Sequence, residues 1–389
     1  MSLFITYSLR NLFVRKLTTT LTVLGMGLVV FVFAAVLMLA HGLEVTLVDT
    51  GSADNAIIVR AAASAETVSI MSRDQAGIAK TQPEVALSAD GSPIATTDLI
   101  VMVNITKRKN SDAGNVIIRG TTADVFTLRP NIQLISGRMF TPGTSEIIAG
   151  LRSAENFRGC GLGEHITAAN RDWTVVGILD AGGSGFDSEL WGDVEQIQQA
   201  FRRPIYSSVT ARLRDPAQFD ALKKRLEADP RMTVDVKREQ QFYTEQSQAT
   251  ATFIRVIGLL VSIIFAVGAM IGAMITMYAS VSGRTVEIGT LRAIGFSRTR
   301  VLGVFLIEAV WLSLLGWLVG IVAASSMSLV SVSTTNWDTF AELAFSFTLS
   351  SRILTGSLIF SIVMGLAGGF LPAVRASRAK IVESLREAA

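Results

Sequence analysis

Apolar positions along this chain gather into four blocks instead of spreading evenly. Residues 17–40, 256–283, 309–337 and 353–374 contain no charged side chain over 24, 28, 29 and 22 positions respectively. A helix needs about 20 mainly apolar residues to cross a bilayer, so each block predicts a transmembrane helix. The first block follows basic residues, as the apolar core of a signal peptide does. It exceeds the roughly 7–15 apolar residues of such a peptide, and no small-residue cleavage site is evident around Ala40-His41-Gly42. It is therefore read as an uncleaved span.

Between the first and second blocks the pattern changes to short alternating runs. Segments 56–60, 99–105, 116–119, 173–179 and 207–213 are rich in Val and Ile and bounded by polar or glycine-rich turns, which predicts strands. Asp215-Pro216 reads as an N-cap with proline in the first turn of a helix over 217–227, and a strand returns at 232–237. This strand–helix–strand unit predicts a layered sheet with helices on one face. The stretch 239–255 holds no Gly or Pro and predicts a stalk continuous with the second span.

The expected fold class is thus a membrane α-helical protein, with four transmembrane helices and an inserted α/β (α+β) extracytoplasmic domain. Its predicted parts are an amphipathic cytoplasmic segment at 1–16 and a first span at 17–41. The extracytoplasmic domain with its stalk covers 42–250. The second span at 251–283, a cytoplasmic segment at 284–300 and the third span at 301–332 follow. A short external loop at 333–351, the fourth span at 352–374 and a cytoplasmic tail at 375–389 complete the chain. Small residues four apart, at Gly268 and Gly272, Gly316 and Gly320, and Gly365 and Gly369, predict close helix packing within the bundle.

Charge sets the orientation. Arg10, Arg15 and Lys16 precede the first span; Arg284, Arg292, Arg298 and Arg300 lie between the second and third; Arg375, Arg378, Lys380 and Arg386 follow the fourth. The remaining short loop has Asp338 and Glu342 and neither Lys nor Arg. Basic residues favour the cytoplasmic side, so both termini and the 284–300 segment are expected there. One cysteine, Cys160, excludes an intramolecular disulfide, and two histidines cannot build a His-rich metal centre. The net charge of +3 is mostly topological, and no concentrated basic face for nucleic acid is seen.

Candidate chemistry lies mainly in Arg284-Thr-Val-Glu287-Ile-Gly289-Thr-Leu-Arg292-Ala-Ile-Gly295-Phe-Ser-Arg298. Helical spacing places Glu287 near Leu291 and Ile294, with Ile288 and Arg292 alongside, which suits a short amphipathic helix that docks a soluble partner. The candidate docking residues are Arg284, Glu287, Leu291, Arg292, Ile294 and Gly295. Glu308, an ionisable residue near the start of the third span, is expected to pair with Arg300 or an arginine of this segment as a structural anchor. In the inserted domain Glu164 and His165 are expected at the surface, and Asp187 and Glu189 in a solvated loop. No catalytic or metal-ligating constellation is apparent.

At the 284–298 segment the chain resembles the FtsX-like (MacB-like) permeases of ABC transporters. Further similar stretches are Leu9-Arg10-Asn11-Leu12, Ile307-Glu308-Ala309, Gly137-Arg138-Met139-Phe140, Val175-Val176-Gly177-Ile178 and Glu383-Ser384-Leu385-Arg386. Ile381 stands where the family commonly has proline. The resemblance implies a permease of the bacterial cytoplasmic (inner) membrane whose 284–300 segment is the coupling helix. No Gly-x4-Gly-Lys-Ser/Thr loop occurs in this sequence, so ATP and magnesium are expected in a separate ATP-binding subunit, with no cofactor in this chain. It further implies a homodimer or a pairing with a related permease, contact with membrane lipids, and a periplasmic adaptor in some members. Implied activities are export or extraction of a lipid, lipoprotein, peptide or hydrophobic compound, or the regulation of a cell-wall hydrolase from within a cell-division complex.

Overall fold

The computed structural model describes residues 16–336 and 338–378. The amphipathic segment expected at the N-terminus, most of the C-terminal tail and Ile381 lie outside the described residues. Among those described, four helices are long and apolar enough to cross a membrane: Lys16–Val48, Glu239–Ser282, Arg298–Leu329 and Ser351–Ser377. The chain divides into two compact units. One, the membrane unit, takes the chain up to His41, Thr252–Val330 and the chain from Phe347; the other takes Gly42–Ala251 and Ser331–Ser346.

In the membrane unit, lipid tails provide no hydrophobic drive for helices to associate, so close packing and polar contacts hold them. A side chain added at Gly320 would come within 2.6 Å of the Gly27 carbonyl on the first span, and one at Gly365 within 2.6 Å of Ser313 on the third. At Gly316 and Gly369 the added atom would be 2.8 Å from Met26 and 2.5 Å from Ala309, whereas Gly268 and Gly272 meet nothing within 4 Å. Polar contacts add to this packing. The Thr22 hydroxyl donates to Thr276 at 2.9 Å, Ser361 to the Ser313 carbonyl at 2.8 Å, and the Trp317 indole to Ser357 at 3.1 Å.

The second unit is an inserted α/β domain. Strands β1 (Asn55–Arg60), β2 (Ala95–Thr106), β3 (Ala113–Thr121), β4 (Gln133–Gly137), β5 (Glu146–Gly150), β6 (His165–Ala168), β7 (Arg171–Asp180), β8 (Glu189–Asp193), β9 (Ser208–Arg212) and β10 (Val234–Arg238) form one mixed sheet. Its order is β10-β1-β9-β2-β3-β8-β5-β7-β4, with β6 on β7. The expected strand–helix–strand unit is present as β9, helix Phe219–Glu227 and β10. Asp215 accepts the Ala217 N–H at its start, and β1 lies between its two strands.

Successive side chains on a strand face opposite ways, and this sheet uses the alternation to separate two kinds of core. One face carries Ile58, Leu99, Val101, Ile118, Leu190 and Val209, packed with Ala76, Ile197, Leu222 and Leu226 from three helices. The alternate positions carry Asn55, Asp98, Arg119, Thr121, Glu189 and Ser208, all buried. Arg119, only 1% exposed, uses all three of its guanidinium nitrogens. Nε and Nη2 donate to Glu189 at 2.7 and 2.9 Å, Nη1 and Nη2 to Glu66 at 2.9 Å each, and Nη1 to Asp98 at 3.1 Å. Thr121 donates to Asp98, Ser208 and Tyr243 to Glu66, and the Trp191 indole to Glu189. The Phe186 ring lies 5.1 Å from the Arg119 guanidinium and 4.5 Å from that of Arg129.

Two expectations are corrected here. Asp187 and Glu189 are buried instead of lying in a solvated loop. Asp187 accepts the N–H groups of Ala181 and Gly183 and so closes the glycine turn, while Glu189 faces Arg119. The stretch expected as a plain loop after the third span folds as a hairpin, β11 (Ser331–Thr335) with β12 (Glu342–Ser346), and belongs to the inserted domain. The Ala344 N–H donates to Ser188, the Asn115 amide to the Phe340 carbonyl, and Glu342 pairs with Lys107.

Breaking a buried ion pair from one side leaves uncompensated charge. Arg119→Met is therefore expected to destabilise the domain by roughly 3–5 kcal/mol, read as a lowered unfolding transition of the full chain in detergent. Burial pushes the Glu66 carboxyl up, but Arg119, with hydrogen bonds from its guanidinium and Ser208, outweighs this and holds it at about 2 against an ordinary 4.5. A depressed carboxylate stabilises the fold above its unfolded value and loses that contribution as pH falls towards its folded one. Stability should thus fall between pH 4.5 and about 2, and Glu66→Gln should flatten that part of the profile.

Candidate functional site

The second span's helix ends at Ser282, and Arg284 turns the chain into a separate short helix, Thr285–Ala293. Glu287 lies in the first turn of this helix and Arg292 in its last, the charge arrangement that a helix dipole favours. Gly295 stops it with φ +104, a conformation in which an L side chain would be strained. Ser297 then caps the helix of the third span, its hydroxyl accepting the Arg300 N–H.

Burial divides the segment by helical period. Ile288 is buried in a cluster with Met277, Val281, Val301, Phe305, Ala309, Ala373 and Ala376, and Gly289 beside it is also buried. Arg284 is buried on the same side and donates from Nη1 to Glu308 Oε2 at 3.3 Å, with Glu308 buried as well. Arg292 donates to the Ser377 carbonyl at 3.2 Å, which ties the segment to the end of the fourth span. Val286, Glu287, Thr290 and Ile294 are exposed, Ile294 by 71%.

The six candidate docking residues therefore fall into two groups. Glu287, Ile294 and Gly295 lie on the exposed side, and Leu291 is half-buried at the boundary. Arg284 and Arg292 point inward and fix the segment to the third and fourth spans. Glu308 has the partner expected of it, an arginine of this segment.

Elsewhere the chemistry is structural. His165 is exposed, its ring 3.0 Å from the Thr174 hydroxyl, and Glu164 is half-buried and paired with Arg108. Burial pushes the Cys160 thiol up to about 12, which keeps it neutral. Among the described residues no group of three or more His, Cys, Asp and Glu is placed to hold a metal ion. Missing from the sequence reading was the buried network of Arg119, Arg129, Glu66, Asp98, Glu189 and Glu239. Its only sequence signal is a set of charged residues inside or bordering otherwise apolar strands.

A family model described as MacB-like periplasmic core domain matches residues 19–229, and one described as FtsX-like permease C-terminal matches 259–381. The chain is 29% identical over 275 residues to the uncharacterized ABC transporter permease YknZ of Bacillus subtilis, covering 66% of each protein. It is 27% identical over 401 residues to the macrolide export ATP-binding/permease protein MacB of Nitrobacter winogradskyi, covering 96% of this chain and 58% of that protein. The crystal structure of the periplasmic region of MacB from Actinobacillus actinomycetemcomitans aligns with 13% identity and a TM-score of 0.37, over 50% of this chain and 92% of that one. The chain thus spans about two thirds or less of the length of these curated relatives.

A double-mutant cycle checks the inward anchor. Arg284→Met and Glu308→Gln should each destabilise the full chain by roughly 2–4 kcal/mol, since each leaves a buried partner unmatched. The double variant should recover part of that loss, read as thermal unfolding in detergent.

Proposed function

Because this chain belongs to the ABC transporter permeases that carry a MacB-like periplasmic core domain and an FtsX-like C-terminal region, we propose that it is the membrane-spanning subunit of a transporter. Its ATP and magnesium are bound by an ATP-binding subunit docked on residues 284–300. Both termini and that segment face the cytoplasm in this reading, and the inserted domain faces outward, which the Lys and Arg distribution supports. The permease works as a homodimer, or paired with a related permease, in contact with membrane lipids. ATP-driven closure of the ATPases pushes the coupling helices, and the helix Glu239–Ser282 carries the displacement to the inserted domain. The cargo is a lipid, lipoprotein, peptide or hydrophobic compound taken from the outer side, with a periplasmic adaptor completing an export path.

One observation carries this reading. The segment's inward face is fixed by Arg284 to Glu308 and by Arg292 to Ser377, while an apolar side chain and a carboxylate, Ile294 and Glu287, are presented outward. An exposed isoleucine about two turns from an exposed carboxylate, on a helix that cannot easily rotate, suits a partner surface that pushes. Regulation of a cell-wall hydrolase uses the same lever with a different load. Capture of an adaptor, against capture of a hydrolase, by the inserted domain separates the two.

Ile294→Asp, alone or with Glu287→Lys, should weaken co-purification of a co-expressed ATP-binding subunit by roughly tenfold or more, about 1.4 kcal/mol per decade. Membrane insertion and thermal stability should stay unchanged, because neither side chain is part of the buried anchor. Undiminished co-purification would refute the docking role.

A further inference from the structure

Besides the two ends of the β11–β12 hairpin, the inserted domain connects to the spans through two long helices. The chain leaves the first span's helix at Val48, and the helix Glu239–Ser282 leads into the second span. Inside the domain these two connections meet at one carboxylate. Glu239, the first residue of its helix, is fully buried. Its Oε1 accepts from Nε and Nη2 of Arg129 at 3.2 and 2.7 Å. Its Oε2 accepts the Asn55 amide at 2.8 Å and the Ser52 backbone N–H at 3.0 Å.

The linker after the first helix is fixed residue by residue. Thr50 donates its hydroxyl to the Thr46 carbonyl at 2.8 Å and accepts the Gly185 N–H at 2.7 Å. Gly51 lies so close to the second helix that an added Cβ would be 2.6 Å from both the Glu239 carbonyl carbon and the Gln240 nitrogen. Ser52 is held by Glu239 itself. One turn along, Tyr243 donates to Glu66 at 3.0 Å, which places two residues of the helix's inner face in the Arg119 network.

We infer that Glu239 is a positioning residue that joins both connections, so that the end of the first helix, the start of the second and the sheet move as one body. Two independent flexible linkers would need slack at 49–52 or around 239, and the hydrogen bonds leave none. A carboxylate suits this place because every group facing it is a donor: two guanidinium nitrogens, an amide NH2 and a backbone N–H. Its amide analogue keeps the shape but turns one acceptor oxygen into a donor, which sets N–H against N–H. The functional weight of the joint rests on the transmission reading above. Its existence does not, and it is tested without nucleotide or partner.

The test uses the full chain in nanodiscs with Cys160→Ala and nitroxides at Ala53→Cys and Gln241→Cys, both exposed positions on either side of the joint. Pulsed electron–electron resonance should give a single narrow distance distribution. Glu239→Gln should replace it with a broad one containing longer distances. A control pair at Gln133→Cys and Thr167→Cys, elsewhere in the sheet, should stay narrow. If the control also broadens, Arg129→Lys, which keeps the charge and loses the paired bonds, decides by the same criterion. A distribution that stays narrow across 53 and 241 in the deciding variant overturns the joint. Loss of ATPase co-purification bears only on the docking reading and leaves these distances unaffected.

Discussion

A guanidinium group taken out of water must find an acceptor for each of its N–H directions, and the inserted domain is arranged around meeting that demand for Arg119. Glu66, Asp98 and Glu189 reach it from a 3-10 turn, from β2 and from β8, and Thr121, Ser208, Trp191 and Tyr243 donate further hydrogen bonds to these carboxylates. Desolvating this many charges is costly, and an apolar core of equal volume would be as stable or more so. What the network adds is direction. Each bond has a fixed geometry, so strands β2, β3, β8 and β9 and the helix beginning at Glu239 have one mutual arrangement that satisfies it. The opposite face of the same sheet, packed with aliphatic side chains, supplies burial without that specificity.

The membrane unit repeats the device on a smaller scale. Arg284 and Glu308 are both buried, and their partnership fixes where the short helix Thr285–Ala293 begins relative to the third span. In each unit a buried arginine sits where a helix starts, and in each the helix carries a proposed mechanical role. Aliphatic packing alone tolerates small rotations and slides, because dispersion contacts are individually weak and lack direction. A buried ion pair resists them, since sliding by an ångström or two leaves a charge unmatched.

Much of this architecture was legible in the chain because its cause is one-dimensional. Hydropathy marks the four spans, Asp215-Pro216 marks a helix start, and the unbroken 239–255 stretch continues as one helix into the second span. The pattern Glu-Ile-Gly-Thr-Leu-Arg identified the segment after the second span as helical and two-sided. The sequence could not say which of its charges turn inward, because that depends on Glu308, 24 residues away. The Arg119 network was illegible for the same reason: Glu66 and Arg119 are 53 residues apart, and Glu239 and Arg129 are 110 apart. Asp187 and Glu189, next to a glycine run, look solvated when their partners are unknown. The hairpin after the third span was hidden by its composition, since Ser-Val-Ser-Thr-Thr reads as a polar loop until its pairing with β12 is known.

The two-sided character of the 285–293 helix also constrains how force can pass through it. A single short helix offers a partner a small contact, here Val286, Glu287, Thr290 and Ile294, and a contact of that size is modest in energy. A push applied there would first turn the helix about its own axis, unless the inward side resists more strongly than the outward side holds. The buried pair of Arg284 with Glu308, the Arg292 bond to Ser377 and the packing of Ile288 supply that inequality. Weak on the outside and strong on the inside, the segment in its proposed docking role would release a partner before it yielded itself. A reversible docking element that transmits displacement has to be built in that order of strengths.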